Sequence, residues 1–324
     1  MRLAILLAAA LAAFPAAAFD LQGHRGARGL APENTLAGFE QALAIGVHTL
    51  ELDLVMTADD VLVVHHDLTL NPDIARGPDG AYVTEETPIR SLTLEQVKTY
   101  DVGRVRAGSD YARRFADQLT RDGARIPTLA EVFERVASLD AAHVRFNIET
   151  KIRPDRPDLS PTPEAFAAAI AELVRAHGLV ERVTVQSFDW RTLDAMAAIA
   201  PDLPRVCLTA EGRFDTVQAG KPGPSPWLGG RDVDDVGGEV AALVAQAGCA
   251  VWSPSHRDLD AARLAAAKEA GLSVIPWTVN EIADMRRLVD MGVDGIITDY
   301  PNRLRALLVE RGIETAPQVR VPTR

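Results

Sequence analysis

Three acidic residues have a spacing that can hold a metal ion. Glu51 and Asp53 are two positions apart in an apolar run, so on a strand both point to one face, about 7 Å apart at the backbone. Carboxylates this close repel each other unless a cation lies between them, and Glu149 can supply a third. An all-oxygen set indicates Ca2+ or Mg2+ rather than zinc, with Ca2+ favoured. The alternative is that one carboxylate points to solvent or pairs with Lys151.

Two histidines are candidates for a general acid and a general base. His24 and His66 each end a strand-like run, a position where a lone histidine is commonly structural. Two of them beside a metal site, one followed by Arg25, favour a catalytic role instead. His65 would face the opposite way from His66, so we interpret it as structural.

Cationic, amide and aromatic side chains near the same strand ends can bind a substrate. Arg25 offers a planar fork that matches phosphate oxygens, and Lys151 adds a second positive charge. Gln186 and Trp277 end two further strand-like runs and are candidate substrate contacts, although a tryptophan at such a place also commonly packs. Together these residues indicate a site for an anion.

The whole set suits the hydrolysis of a phosphodiester. The leaving alkoxide needs a proton, the nucleophile needs a base, and the phosphoryl oxygens need neutralising charge. Two histidines, one hard metal ion and Arg25 meet these needs.

The elements that carry these residues alternate between strand and helix patterns, which predicts a TIM (β/α)8 barrel, an α/β fold. The length of 324 residues would also allow two domains, but such barrels reach this size as one. The predicted strands are Leu21–His24, Thr49–Val55, His143–Thr150, Arg182–Phe188, Arg205–Thr209, Val251–Pro254, Ser273–Val279 and Gly292–Thr298, with an extra run at Val61–Val64. The predicted helices are Leu36–Ile45, Leu129–Ala137, Pro163–His177, Leu193–Ile199, Val240–Ala247, Leu259–Ala270 and Ile282–Met291. The predicted N-caps are Asn34 or Thr35, Thr128, Thr162 and Asn280.

Two stretches interrupt the alternation. Asp67–Arg125 is too long for a connecting loop and predicts an insertion after the second strand, made of small helices and turns on the face where the strands end. Glu211–Asp235 is a shorter insertion rich in Gly and Pro. We expect one barrel domain over residues 19–311 and a loose tail over 312–324.

The N-terminus predicts the compartment in which the protein works, and the composition limits its partners. Met1-Arg2, an apolar run and a small-residue ending predict a signal peptide over residues 1–18, hence a periplasmic or secreted protein without stable membrane insertion. A net charge of −11 argues against a nucleic-acid partner. Cys207 and Cys249 could pair in such a compartment, but two buried free thiols are favoured because the cysteines are expected at different heights of neighbouring strands.

The ordered motifs resemble the glycerophosphodiester phosphodiesterase family, of the periplasmic or secreted type. They run through nearly the whole expected mature chain as His24-Arg25-Gly26, Pro32-Glu33-Asn34-Thr35, Glu51-Leu52-Asp53, His66-Asp67, Glu149 with Lys151, Gln186-Ser187-Phe188 and Gly295-Ile296-Ile297-Thr298-Asp299-Tyr300-Pro301. The resemblance implies a TIM barrel and a divalent ion on the three carboxylates. It also implies an acid/base pair of histidines, phosphate contacts from Arg25 and Lys151, and release of sn-glycerol 3-phosphate and an alcohol.

One motif departs from the family pattern. Members often follow His-Asp with Leu-x-Arg-Thr-Thr, whereas this chain reads Leu68-Thr69-Leu70-Asn71-Pro72-Asp73, which makes the alcohol pocket less defined than the chemistry. Two alternatives stay open: a lysophospholipase D on the same barrel, and a non-catalytic exported protein that binds polyol phosphates. The first needs an apolar groove beside the site, and the second has no need of paired histidines.

Overall fold

A ring of parallel strands is the centre of the computed structural model, which describes residues 19–212 and 214–322. The strands are β1 Asp20–Gly23, β2 Thr49–Met56, β3 Leu62–Val64, β4 Arg145–Thr150, β5 Val183–Ser187, β6 Arg205–Thr209, β7 Val251–Pro254, β8 Ser273–Val274 and β9 Gly295–Thr298. Eight of them lie in the order β8-β7-β6-β5-β4-β2-β1-β9, and β3 pairs antiparallel with β2. The predicted signal segment lies outside the described residues.

Backbone hydrogen bonds between the two ends of this order close the ring. The amide of Val279 donates to Ile297 at 3.0 Å, and the amide of Asp294 donates to Val274 at 3.0 Å. The predicted strand Ser273–Val279 is shorter than expected and ends at Val274, because Pro276 has no amide hydrogen to continue the ladder. The predicted (β/α)8 fold is confirmed.

Ten α-helices pack outside the ring or within the insertion in the described part of the chain. They are α1 Leu36–Ile45, α2 Leu94–Val97, α3 Asp110–Arg114, α4 Leu129–Ser138, α5 Pro163–Ala176, α6 Trp190–Ile199, α7 Val240–Gln246, α8 Ala261–Glu269, α9 Ile282–Met291 and α10 Pro301–Glu310. Thr35, Thr128 and Thr162 cap α1, α4 and α5 as predicted, each accepting a backbone amide. Asn280 does not cap α9, whose N-cap is Glu281. No described helix is both long and apolar enough to cross a membrane.

Alternation along β2 decides which side chains enter the barrel. All eight of its residues are buried, yet Leu50, Leu52 and Leu54 belong to the main hydrophobic core, whereas Glu51 and Asp53 lie between them in sequence. Successive strand residues point to opposite faces, so the leucines pack against the helices and the carboxylates point inward. One strand thus supplies both core and site.

The insertion after β3 has a small apolar core of its own. Its members include Val63 of β3 together with Leu70, Ile89, Val97 and Val102 of the insertion. The predicted character of this segment, short helices and turns, agrees with α2, α3 and the loops around them. Because this core rests on β3, the insertion sits beside the carboxyl end of β2.

The C-terminal residues pack against the barrel, which corrects the expected loose tail. Ala316 and Val319 are 4% and 9% exposed, and the amide of Val319 donates to the carbonyl of Leu43 at 3.0 Å. Arg305 also donates to the carbonyl of Ala316 at 2.7 Å. These two small apolar side chains cover part of α1, which a periodicity argument could not show.

A disulfide joins Cys207 to Cys249, so the expectation of two free thiols is wrong. Cys249 is not on a strand: it lies in the turn between α7 and β7, and its Cα is 5.9 Å from that of Cys207 in β6. Leu208 lines the barrel interior, so its neighbour Cys207 points outward to the helix layer, where Cys249 lies.

We expect the disulfide to stabilise the fold by about 4 kcal/mol in the chain-entropy model, because it closes a loop with a sequence separation of 42. Urea unfolding of the wild type and of the Cys207→Ala/Cys249→Ala variant measures this difference. Dithiothreitol should lower the midpoint of the wild type and leave that of the variant unchanged. Equal midpoints for oxidised wild type and variant would contradict the prediction.

Candidate active site

The turn after β1 places His24 and Arg25 over the ends of the neighbouring strands. Arg25 has a φ of +50°, a left-handed conformation that a side chain rarely adopts, and its amide donates to Glu51 Oε2 at 2.9 Å. Gly26 follows with a φ of +88°, and a Cβ there would lie 2.6 Å from the carbonyl carbon of Gly38. The turn therefore requires glycine at position 26 and ties the backbone of Arg25 to β2.

Glu51, Asp53 and Glu149 converge inside the barrel. The register of β2 and β4 pairs Asp53 with Glu149, and one oxygen from each of the three residues lies within 4.8 Å of the others. All three are buried. No donor among the described residues gives Asp53 Oδ1 a hydrogen bond of good geometry, although Lys151 Nζ lies 3.0 Å away. The structure thus brings together the residues that the sequence predicts as metal ligands.

The electrostatics of this cluster fit a cation. Burial, and then repulsion from Asp53 and Glu149, raise the pKa of Glu51 well above its usual value. Burial raises the pKa of Glu149 to about 7, against the opposing effect of Lys151. Burial alone would raise the pKa of Asp53 too, but Lys151 and Arg25 hold it well below its usual value. Three buried carboxylates ionise together only with a positive charge among them, so the donor set suits a hard divalent ion.

His24 is oriented by Asp299, the residue that directly follows β9. Its Nδ1 lies 2.6 Å from Asp299 Oδ1, which leaves Nε2 on the side of Glu51, 3.9 Å from Oε2. Arg28 donates to both oxygens of Asp299, and Asn280 donates to Oδ2 at 2.6 Å. Burial, and then the charge of Arg28, lower the pKa of His24 to about 4.

His66 has the same arrangement with a carboxylate next to it in sequence. Its Nδ1 lies 2.6 Å from Asp67 Oδ1, and Asn71 donates to the other oxygen of Asp67 at 2.8 Å. Burial, and then the charges of Arg25 and Lys151, lower the pKa of His66 to about 4. Each histidine therefore has one nitrogen fixed by a carboxylate and the other free for a reacting group. His65, in contrast, is buried with its Nε2 3.2 Å from the carbonyl of Thr69.

The two predicted phosphate-binding cations are both held by carboxylates. Arg25 Nη1 donates to Glu33 at 3.0 Å, and its Nε lies 3.2 Å from Asp53 Oδ2. Lys151 Nζ donates to Glu149 at 2.5 Å. Glu149 thus pairs with Lys151, as the alternative expected, and still remains in the carboxylate cluster. Lys151 Nζ lies between Asp53 of β2 and Glu149 of β4, at 3.0 Å and 2.5 Å.

Two connected spaces open at this end of the barrel. The inner cavity, of about 190 Å³, is lined by His24, Arg25, Arg28, Glu51, His66, Arg114, Glu149, Lys151, Gln186, Phe188, Leu208, Trp277, Thr278 and Ile297. The outer groove, of about 650 Å³, shares His66, Glu149, Lys151, Phe188 and Trp277 with it and continues along Leu68, Ile152, Leu159, Phe214 and Trp227, with charged residues at its rim.

Eight of the nine residues that the sequence predicts for the site line the inner cavity, and Asp53 is the one that does not. Gln186 donates to Glu51 Oε1 at 2.8 Å, so its amide orients a carboxylate. Trp277 packs edge-to-face on Phe188 with ring centroids 5.2 Å apart, while its ring also lines both spaces. Roles for both in substrate binding stay predictions.

A family model of the glycerophosphoryl diester phosphodiesterase family matches residues 24–303. The chain belongs to this family. A glycerophosphodiester phosphodiesterase of Caldanaerobacter subterraneus subsp. tengcongensis is 30% identical over 89% of this chain and 97% of its own length. One from Bacillus subtilis is also 30% identical, over 86% of this chain and 83% of its own length. The predicted resemblance and the predicted enzyme class are confirmed.

A solved structure of a Silicibacter pomeroyi protein assigned to the same activity has a similar fold. It is 34% identical to this chain, superposes with a TM-score of 0.82, and the match covers 93% of this chain and 96% of that one. The fold is thus shared along nearly the whole length of the chain.

Several residues around this phosphodiesterase site have no assigned role in the sequence analysis. Asp299 follows β9, the strand beside β1, and contacts His24, while Asn280 donates to Asp299. Asn280 is recognisable in sequence only as an N-cap candidate. Tyr111, from α3 in the insertion, donates its hydroxyl to Glu33, which in turn holds Arg25. No local periodicity marks Tyr111, because its partner is 78 residues away.

Proposed function

We propose that the protein hydrolyses glycerophosphodiesters to sn-glycerol 3-phosphate and an alcohol. One observation carries the proposal: two histidines, each oriented by a carboxylate, line the same 190 Å³ cavity as the carboxylate cluster. One histidine accepts the proton of the attacking oxygen as that oxygen bonds to phosphorus. The other, in the imidazolium form that the negative charge of the bound diester favours, donates its proton to the alkoxide as the phosphorus–oxygen bond breaks. Arg25 and Lys151 bind the phosphate in this proposal.

The proposed cofactor is one divalent cation, Ca2+ rather than Mg2+, on Glu51, Asp53 and Glu149. When bound, it neutralises charge on the phosphoryl oxygens. Each of the three carboxylates offers one oxygen within 4.8 Å of the others, a donor set that suits one hard divalent ion. Magnesium requires shorter bonds of about 2.0–2.1 Å and near-ideal octahedral geometry.

The test is turnover of water-soluble diesters. Purified protein is incubated with glycerophosphocholine, glycerophosphoethanolamine or glycerophosphoglycerol, with Ca2+, Mg2+ or a chelator, and sn-glycerol 3-phosphate is followed by a coupled assay. We expect product with at least one divalent ion and none with the chelator. Folded protein that releases no product from any diester under any of these conditions would refute the proposal, and tight binding without turnover would support an exported binding protein instead.

A second candidate, lysophospholipase D activity, is favoured by the outer groove. Trp277, Phe188, Phe214 and Trp227 form a chain of edge-to-face rings with centroids 5.2–5.4 Å apart, and it leads from the inner cavity outward. Leu68, Ile152 and Leu159 add apolar surface. Such a groove suits an acyl chain, which the sequence alone gave no reason to expect.

The two candidate activities differ in their preferred substrate. Faster turnover of lysophosphatidylcholine than of glycerophosphocholine would favour the lysophospholipase D. Phe214 is 42% exposed and does not line the inner cavity, so Phe214→Ala should then slow the lysolipid reaction and spare the water-soluble diester. Equal effects on both substrates would show that the outer groove does not bind the acyl chain.

We also propose that the mature protein begins at Phe19 and works in the periplasm or outside the cell. The N-terminal pattern supports this, and so does the disulfide, because disulfides persist in oxidising compartments. N-terminal sequencing of protein recovered from the periplasm or the medium of an expressing bacterium tests both points. Recovery only from the cytosol with Met1 intact would contradict them.

A further inference from the structure

Four non-histidine cationic side chains line the inner cavity, and carboxylates neutralise three of them. These pairs are Arg25 with Glu33 and Asp53, Arg28 with Asp299 and Glu33, and Lys151 with Glu149 and Asp53. Arg114 is the fourth. Within residues 19–212 and 214–322, no carboxylate pairs with Arg114 and no oxygen accepts a hydrogen bond from it. The cavity therefore has one cation whose charge is not already balanced.

The position of Arg114 follows from the way α3 is fixed to the barrel. Tyr111, Arg114 and Phe115 are spaced i, i+3 and i+4, so they share one face of the helical turn. The Tyr111 hydroxyl donates to Glu33, and Phe115 is buried with the guanidinium of Arg28 4.7 Å from its ring centroid. The guanidinium of Arg114 lies 5.2 Å from the same ring. The face that anchors α3 is thus the face that presents Arg114 to the site.

Arg113, the preceding residue, has a different environment. It pairs with Asp110 in the same helix and does not line either space. The two neighbours share residue type, helix and exposure, and differ in whether they reach the cavity. Arg113 is therefore a matched control for Arg114.

We propose that Arg114 is a substrate-binding residue that the insertion contributes, and that it contacts the phosphate oxygens of the diester and of the product. The inference rests on the proposed function. The other cations of the cavity are already paired with carboxylates, which weakens their attraction for an anion. The guanidinium of Arg114 is not paired in this way, and its planar fork of N–H donors suits phosphate oxygens. The contact is present in both ground state and transition state, so it acts on KM rather than kcat.

The experiment compares Arg114→Gln, Arg114→Lys and Arg113→Gln with the wild type. A charged hydrogen bond near the surface predicts about a tenfold rise in KM for glycerophosphocholine in Arg114→Gln, with kcat changed less than about twofold. The dissociation constant of sn-glycerol 3-phosphate, measured by calorimetry, should rise by about the same factor. Arg114→Lys should recover part of the loss, and Arg113→Gln should match the wild type.

Three further outcomes separate this role from others. Inhibition by glycerol, which has no charge, should be equal in wild type and Arg114→Gln, whereas loss of a merely structural contact would weaken both ligands. Equal behaviour of Arg114→Gln and Arg113→Gln would overturn the inference and leave the phosphodiesterase proposal intact. A wild type that binds sn-glycerol 3-phosphate through Arg114 without turning over any diester would sustain the inference while refuting the proposed reaction.

Discussion

Replacing His24 or His66 by alanine is expected to lower kcat for glycerophosphodiesters by about 10²–10⁴-fold while the fold survives. Each histidine has its Nδ1 2.6 Å from a carboxylate, Asp299 for His24 and Asp67 for His66. Such a carboxylate fixes the tautomer and stabilises the imidazolium that forms as a proton moves. Alanine removes the proton carrier but leaves the metal cluster and the cations, so substrate binding should change much less than kcat.

Controls for this prediction come from elsewhere in the chain. His143 is exposed next to the start of β4, at the opposite end of the barrel, so His143→Ala should keep full activity. Asp299→Asn leaves His24 in place with a neutral partner, and we expect an intermediate loss in kcat, since Asp299 acts through His24 as a positioning residue. Circular dichroism and thermal unfolding check that each variant is folded. Near-normal kcat in His24→Ala or His66→Ala would reject the catalytic role of that residue.

The fold was predictable because its pattern is local. Alternating strand and helix runs define the barrel. The leucines of β2 alternate with Glu51 and Asp53, so the leucines must face the helices and the carboxylates must face the barrel interior. Threonine N-caps mark three helix starts for the same reason: the bonded amide is three residues away. Where the chain departs from such short-range rules, as in the Cys207–Cys249 disulfide and the packed tail, the expectation was wrong.

The sequence predicts the site residues that lie at the carboxyl ends of strands, but not the residues that contact them from elsewhere in the chain. Strand ends meet at one rim, so residues that end different strands could be brought together without knowing any contact. The partner of His24 is different, because Asp299 is 275 residues away and reaches it only once the first and last strands pair. Arg114 and Tyr111 lie in an insertion whose packing depends on its own small core, and neither belongs to a periodic pattern. Long-range contacts of this kind follow from tertiary structure alone.

Glu149→Gln is expected to remove most of the stabilisation that a divalent cation gives the protein. At a Ca2+ concentration about 100 times the wild-type dissociation constant, binding should stabilise the wild type by about 2.7 kcal/mol, a rise in Tm of several degrees. Loss of one of three charged ligands should weaken binding by at least about 100-fold, since changes around metal ligands already cost 10–100-fold. The same Ca2+ concentration should then leave the Tm of the variant almost unchanged.

The raised pKa of Glu149 predicts how the substitution changes the stability of the metal-free protein. Burial and the neighbouring Asp53 raise the pKa of Glu149 to about 7 despite Lys151. Without a cation, the ionised carboxylate therefore lowers the free energy of unfolding at neutral and higher pH. A neutral amide removes that cost and can still accept from Lys151 Nζ, which lies 2.5 Å from Glu149 Oε1. Metal-free Glu149→Gln should therefore unfold at or above the wild-type Tm, while its activity needs far more Ca2+.

Glu51→Gln should also raise the Ca2+ concentration needed for activity. Glu134→Gln, an exposed change on α4, should alter neither that concentration nor the Tm. A Ca2+-induced rise in Tm as large in Glu149→Gln as in the wild type would show that the cation binds elsewhere.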